Sequence, residues 1–290
     1  MNPTVRLVCL PHAGGGADAY RPWASALPEG AELITPELPG HGRRLPERPL
    51  EHTEDVVADL LPRLGDTSAP LVVFGHSMGG LLAYELCDAL DWLGTPPHAL
   101  VVSATGPPDL LDAAASRALA EDPEALLDHV AGLGSTPSAV LADPGMRALV
   151  LRPLQADFRL LGRAARTRVR EVPVPLYALA GDRDPVHPPR EVAGWQRHAR
   201  LWRGLGVLPG DHFFPWQSDD VPRLLGELVR SVAGGGRAPA ARPAPDASGT
   251  TTNRPSTKRG DTAMPHTTPG RPEPGPPPPA RPYDDGGVTR

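Results

Sequence analysis

The chain has 290 residues and a formal net charge of −5; 40% of residues are hydrophobic and 22% charged, with 39 prolines, 31 glycines and two cysteines. No apolar run reaches the 18 residues of a membrane span, the two cysteines sit in apolar segments as buried thiols and not as a disulfide framework, and the acidic balance argues against a nucleic-acid binder. The opening MNPTVRLVCLPHAGGG carries an apolar stretch too short for a secretory signal and set directly on a glycine turn, so the expected location is the reducing cytoplasm.

Proline is unevenly spread. Residues 234–290 hold 13 prolines and nine glycines, and their only large apolar side chains are Met264, Tyr283 and Val288. So little apolar surface cannot offset the entropy of ordering, which predicts a disordered tail over 234–290 and a foldable body over 1–233. The tail carries eight Arg or Lys against five Asp or Glu, leaving the body at −8 and without lysine.

In chain order, Val5–Leu10 reads as a strand that opens into the glycine-rich PHAGGG, and Glu32–Thr35 as a second. A helix is predicted over 52–64, with Val56, Val57, Leu60, Leu61 and Leu64 on one face. Leu71–Phe74 is a strand followed by a helix over 78–90, and Ala99–Ser103 is another strand. Residues 107–170 contain no strand candidate, only helix-like segments broken by Pro and Gly, far more chain than one crossover requires. They read as a helical insertion over one end of the sheet. Strands Leu176–Ala180 and Gly204–Leu208 and a helix over 220–232, with Val221, Leu224, Leu225, Leu228 and Val229 on its face, complete the body. Short, continuous apolar strands alternating with helices predict an α/β fold with a mostly parallel sheet and helices on both faces.

Residues 75–79 read GHSMG, a G-x-S-x-G pattern that composition alone produces often. Its setting is the informative part: it follows the run LVVF and precedes LLAYELCDAL, the strand, sharp turn and helix of a nucleophile elbow. That makes Ser77 the candidate nucleophile. A serine needs a base, and the base an orienting acid, in chain order Ser, acid, His. Of the later histidines, His266 lies in the tail, His198 in the polar WQRHAR, expected to be an exposed helix, and His187 too near the acid loop. His212, in GDHFF just after the last strand, remains as the base. The acid is Asp182 or Asp184, both at the end of strand LYALA and of the same parity along it; the other is expected to stabilise the turn. Oxyanion donors are expected from the backbone N–H groups of Met78 and, in the PHAGGG loop, Ala13. No H-E-x-x-H, Cys/His cluster or phosphate-binding loop is present, so no metal or cofactor is expected; His12, His41 and His76 read as loop residues near the site.

The segments LVCLPHAGGGADAYRPWASAL, PELPGHGRR, GHSMGGLLAYEL, PLQADF, ALAGDRDPV and GDHFF, in this order over residues 5 to about 232, resemble the type II (external) thioesterases of polyketide and nonribosomal peptide biosynthesis. The resemblance implies an α/β-hydrolase fold with a core of 1–106 and 171–233 and a helical lid over about 107–170. It implies Ser77, Asp184 and His212 as the triad, Ala13 and Met78 as oxyanion donors, and hydrolysis of acyl thioesters from the phosphopantetheine arm of acyl- or peptidyl-carrier proteins, by a monomer that meets them transiently. Three departures stand out. Family members usually carry an extra strand before PHAGG, SATGPPD (103–109) lacks their arginine-containing SGR-like stretch, and the tail has no counterpart. The segment 159–170 holds Arg159, Arg163, Arg166, Arg168 and Arg170; it reads either as a solvated face or as a flank that steers acidic carriers. The rival functions are a general carboxylesterase, a chain-releasing thioesterase on the same fold, and an interaction protein acting through the Pro-rich 272–282.

Overall fold

The computed structural model describes residues 5–65, 68–134, 142–164 and 169–235. The predicted tail, 234–290, lies outside them from residue 236 onward. Six strands, β1 (Val5–Leu10), β2 (Ala31–Ile34), β3 (Leu71–His76), β4 (Ala99–Ser103), β5 (Val172–Gly181) and β6 (Ala199–Leu208), form one sheet in the order β2-β1-β3-β4-β5-β6. All its pairings are parallel. The central strands β1, β3 and β4 are buried along their whole length, as expected where both faces are covered.

Successive residues feed opposite layers. Val8 and Leu10 of β1 and Val73 of β3 face a core that includes Val56, Leu60, Leu82 and Leu86, from α1 (Thr53–Leu60) and α2 (Met78–Trp92). Leu7 and Cys9 of β1 and Val72 and Phe74 of β3 face the opposite core, with Tyr20, Trp23, Leu225 and Val229. The predicted helix over 52–64 stops being α-helical after Leu60 and tightens into a 3-10 turn at Leu61–Leu64. Pro62 has no N–H to continue the ladder.

Among the described residues three helices lie between β4 and β5: α3 (Ala113–Glu121), α4 (Pro123–Gly132) and α5 (Pro144–Ala164). Asp122 starts α4, its carboxylate accepting from the Glu124 and Ala125 N–H groups ahead of a proline at the first helical position. Ala120, Leu126, Val130, Leu154 and Phe158 form a small core of their own among these helices. A single turn, α6 (Pro189–Val192), precedes β6, and α7 (Asp220–Ala233) closes the body. In α7, Val221, Leu225, Leu228, Val229 and Val232 are buried, whereas Leu224, expected on that face, is 36% exposed. Among the described residues no helix is long and apolar enough to cross a membrane.

Two strands begin earlier than their apolar runs. β5 starts at Val172, and its register is irregular around Pro173 and Pro175, which cannot donate to the ladder. β6 starts at Ala199 on the sheet edge, so it includes Arg200 and Arg203. His198 is consequently not on an exposed helix. It is fully buried, with Nε2 2.8 Å from Asp109 and Nδ1 3.3 Å from the Tyr84 hydroxyl.

Candidate active site

Ser77 sits between the last residue of β3 and the first of α2 with φ 54° and ψ −124°, a conformation sparsely populated by L-residues that persists only when its surroundings enforce it. Three contacts do so. The Ser77 N–H donates to the Ser103 carbonyl at the end of β4, at 2.8 Å. A methyl at Gly75 would collide with the Gly79 carbonyl, and one at Gly79 with the Leu10 and Pro11 carbonyls. The glycines of the motif are thus demanded by space: α2 starts in contact with the end of β3 and with the end of β1. That contact brings the Met78 N–H, a first-turn donor without an intrahelical acceptor, to the PHAGGG loop.

His212 lies in the loop after β6 and Asp184 in the loop after β5. The His212 Nε2 is 3.1 Å from the Ser77 Oγ, and its Nδ1 is 2.9 Å from the Asp184 Oδ2. With Nδ1–H donating to the carboxylate, Nε2 is left as the acceptor for the serine proton. The other oxygen of Asp184 accepts from the Val186 and His187 N–H groups at 2.9 and 3.1 Å. Burial pushes the Asp184 carboxyl up, but the hydrogen bond and charge of His212 and those two N–H groups outweigh it and hold it below its usual value. Asp182 does different work. Its Oδ1 accepts from the Gly210 N–H at 2.8 Å, while its own N–H donates to the Leu208 carbonyl. It stitches the acid loop to the base loop.

A cavity of about 260 Å³ opens over the serine, with Ser77, Met78, His212, His12 and Ala13 on its sheet side. Ala115, Leu119, Val130, Leu133, Phe158 and Leu161 of α3, α4, α5 and the turn after α4 line its other walls. The inserted helices therefore form a mainly apolar roof, interrupted by Ser116 and His129, over a floor that holds the serine and the histidines. His187 also lines the cavity, its Nδ1 2.7 Å from Glu191, and its ring 6.0 Å from that of His212.

Behind the triad histidine lies a stack of rings. His76 is buried between His212, at 5.3 Å, and Trp216, at 4.9 Å, and His12 packs edge-on against Phe213 at 4.9 Å. Burial, then the positive fields of His212 and His41, lower His12 from 6.5 to about 4; burial followed by its histidine neighbours puts His76 well below its ordinary value. Both are kept neutral in the fold, so stability is lost as the pH falls below 6.5, where the unfolded chain takes up protons that the folded one refuses. His41 does not offset this. Burial opposes its charge, but Asp157 and the Pro39 and Leu38 carbonyls raise it overall, and that contribution is already complete below 6.5. Asp184 enters only below 3.8. Urea-unfolding free energy is therefore expected to fall by about 3 kcal/mol or more between pH 6.5 and 4, at 1.36 kcal/mol for each unit of His12 shift with His76 adding to it. A flat profile across that window would contradict the neutral ring stack.

A second buried pair escapes the sequence analysis. His41 Nε2 is 2.9 Å from Asp157 Oδ2, and both side chains are nearly inaccessible. These residues are 116 positions apart, and no local pattern links them. Of the five arginines at 159–170, Arg159 and Arg163 both pair with Glu51, and Arg170 pairs with Glu85 and Asp88 and lies over the Tyr84 ring. The charges of these three are paired within the chain. Arg166 and Arg168 lie outside the described residues.

A strand–turn–helix serine facing an imidazole that a buried carboxylate orients, at the C-terminal ends of parallel strands, defines an α/β-hydrolase. Comparison with known proteins narrows the class. The model of the thioesterase domain family matches residues 5–231. The chain is 33% identical over 216 residues to thioesterase PikA5 of Streptomyces venezuelae, covering 73% of this chain and 76% of that one. It is 31% identical over 239 residues to a probable cadicidin biosynthesis thioesterase of Streptomyces griseus, covering 82% of this chain and 65% of that protein, a little under two thirds of its length. Among solved structures, the RedJ thioesterase of the prodiginine pathway in Streptomyces coelicolor superposes with a TM-score of 0.70 at 32% identity, over 78% of this chain and 90% of that one. The type II thioesterase BorB of the borrelidin cluster gives 0.68 at 30% identity, over 77% and 92%. The chain belongs to the thioesterase family.

Proposed function

We propose that this thioesterase frees acyl groups from the phosphopantetheine arm of acyl- or peptidyl-carrier proteins, clearing stalled or misloaded polyketide or nonribosomal peptide assembly lines. The observation that carries the reading is the line Ser77 Oγ, His212 Nε2, His212 Nδ1, Asp184 Oδ2, at 3.1 and 2.9 Å, on the floor of an apolar-roofed cavity. His212 takes the Ser77 proton as the hydroxyl oxygen attacks the thioester carbonyl. The oxyanion forms against the N–H groups of Ala13 and Met78, which border the cavity beside the serine. The C–S bond breaks, the imidazolium proton goes to the leaving sulfur, and an acyl-Ser77 ester remains. His212 then takes a proton from water as it attacks, and returns it to the Ser77 oxygen as the free acid leaves.

The helices of about 107–170 act as the lid of the acyl chamber, within a catalytic body of 1–233 to which the tail is dispensable. The reaction uses no metal or cofactor held by the protein, since the pantetheine arrives with the substrate. The enzyme works as a cytoplasmic monomer and meets its carriers transiently. The direct test is fluorophosphonate labelling followed by peptide mapping, then a panel of acyl-pantetheine thioesters beside their matched oxygen esters. Labelling at Ser77 with preference for the sulfur esters is expected. Label on another residue would end the reading, and equal turnover of oxygen esters would favour a general carboxylesterase.

A further inference from the structure

The strongest unassigned feature is the pair His41–Asp157, because of what else Asp157 holds. Its Oδ2 accepts the Gly14 N–H at 2.7 Å as well as facing His41 Nε2 at 2.9 Å. Three remote segments meet at this one carboxylate: the roof helix α5, the PHAGGG loop after β1, and the loop after β2, where His41 Nδ1 is 3.1 Å from the Pro39 carbonyl. Asp157 and His41 are 2% and 4% exposed, so the carboxylate and the imidazole that braces it are shielded from water, although Gly14 itself is exposed.

Gly14 directly follows Ala13, and the two amides flanking the Ala13 Cα are each pinned. The amide that carries the Ala13 N–H has the His12 carbonyl at its other end, and that carbonyl accepts the Gly15 N–H at 2.9 Å. The next amide carries the Gly14 N–H, and Asp157 takes it. One restraint is a turn internal to the loop; the other comes from a helix more than 140 positions away. Packing repeats the connection. Gly14 has φ +70°, and a methyl there would lie 2.7 Å from Leu154 Cδ2, one helical turn before Asp157. The left-handed backbone at this position favours glycine, with Leu154 beside it and Asp157 accepting its N–H.

We propose that Asp157 is a positioning residue for the oxyanion donor: seated in α5 and braced by His41, it fixes the peptide after Ala13 and thereby aims the Ala13 N–H at the carbonyl oxygen of the acyl group on Ser77. The role rests on the proposed acyl transfer at Ser77. It makes the seating of the roof helix a condition for transition-state stabilisation, beyond covering the chamber. A donor misaimed by a fraction of an ångström weakens the transition state more than the bound ground state.

The experiment compares wild type with Asp157→Ala and Asp157→Asn on one acyl-pantetheine thioester, with active sites counted by fluorophosphonate titration. A boronic acid that forms a tetrahedral adduct on the serine and the free carboxylic acid product are tested as inhibitors. For Asp157→Ala, kcat is expected to fall by about ten- to a hundredfold, below the ~10²–10³ of a donor removed outright, with KM within about twofold. Boronate affinity should weaken by the same factor as kcat/KM while product affinity holds. Asp157→Asn, whose amide oxygen still accepts the Gly14 N–H, should recover to within about threefold. A merely structural role would lower the count of titratable sites and leave the boronate affinity of the remaining ones unchanged, and that result overturns the proposal. So does an Asp157→Asn variant as impaired as Asp157→Ala. If the lone alanine leaves His41 uncompensated and does not fold, the double variant His41→Met/Asp157→Leu replaces the pair with apolar groups, an exchange buried ion pairs commonly tolerate, and the same kinetic split is read on it. Absence of boronate binding and of labelling in the wild type would instead refute the acyl-transfer reading itself.

Discussion

Ser77→Ala is expected to lower thioester hydrolysis by about 10⁴–10⁶ in kcat while leaving the melting temperature within a few degrees of wild type. The size follows from the geometry. Removing the hydroxyl removes the acyl-enzyme route altogether, and His212, whose Nε2 faces the Ser77 Oγ at 3.1 Å, loses the group it deprotonates. What survives is attack by water on a thioester held in the cavity, assisted by the oxyanion donors, worth about 10³–10⁴ over solution. His212→Ala should cost nearly as much, and the double variant little more than either, because the two act as one unit. Stopped assays on acyl-pantetheine, with circular dichroism to confirm folding, measure all three. A Ser77→Ala protein retaining a tenth of wild-type turnover would remove the serine from the chemistry.

The second large effect is on folding. Gly75→Ala is expected to destabilise the protein by more than about 4 kcal/mol, in the range reserved for backbone strain and severe overpacking. The added methyl has no escape, because it would overlap the Gly79 carbonyl, and the next atom behind it is the Gly80 nitrogen. Both belong to the first turn of α2, so the helix must leave the end of β3, and the Ser77 conformation loses its restraints. Gly80→Ala provides the contrast. Its methyl would meet the Thr105 Cγ2 at 2.5 Å, a side-chain tip that can shift, so about 1–3 kcal/mol is expected. Denaturant unfolding of the two variants checks the order. A Gly75→Ala protein as stable as wild type would mean that the elbow is not packed as described.

Much of this architecture was legible in the sequence because parallel strands buried on both faces need no alternation. Runs such as VRLVCL and ALVVS therefore stand out, and β1 and β4 begin and end where those runs do. Where the physics is mixed, the signal fails. Pro173 and Pro175 hid the start of β5, and arginines on a sheet edge hid the start of β6. His198 was misread for the same reason: its neighbours are polar, but its ring is buried against Tyr84 and Asp109. The serine was legible because its turn demands glycines at fixed spacing. Asp182 and Asp184 share a parity, so only three-dimensional reach separates the carboxylate that meets His212 from the one that meets the Gly210 N–H. Asp157 was not legible at all as a partner of His41, since no local rule links a helix interior to a loop over a hundred residues earlier.

The helix α5 belongs to two cores at once. Leu154 and Phe158 pack among the inserted helices, whereas Leu160, less than a turn beyond Phe158, packs with the sheet-side core. Its C-terminal half is thus the crossover rod that any parallel sheet needs between neighbouring strands, pressed into service as ceiling. Such a beam cannot swing without tearing the sheet's own packing. Pro153, which omits a rung of the helical ladder one residue before Leu154, marks where a hinge is cheapest. An acyl chain too bulky for the chamber is then expected to displace α3, α4 and the portion of α5 ahead of that proline, while Leu160 stays anchored in the frame.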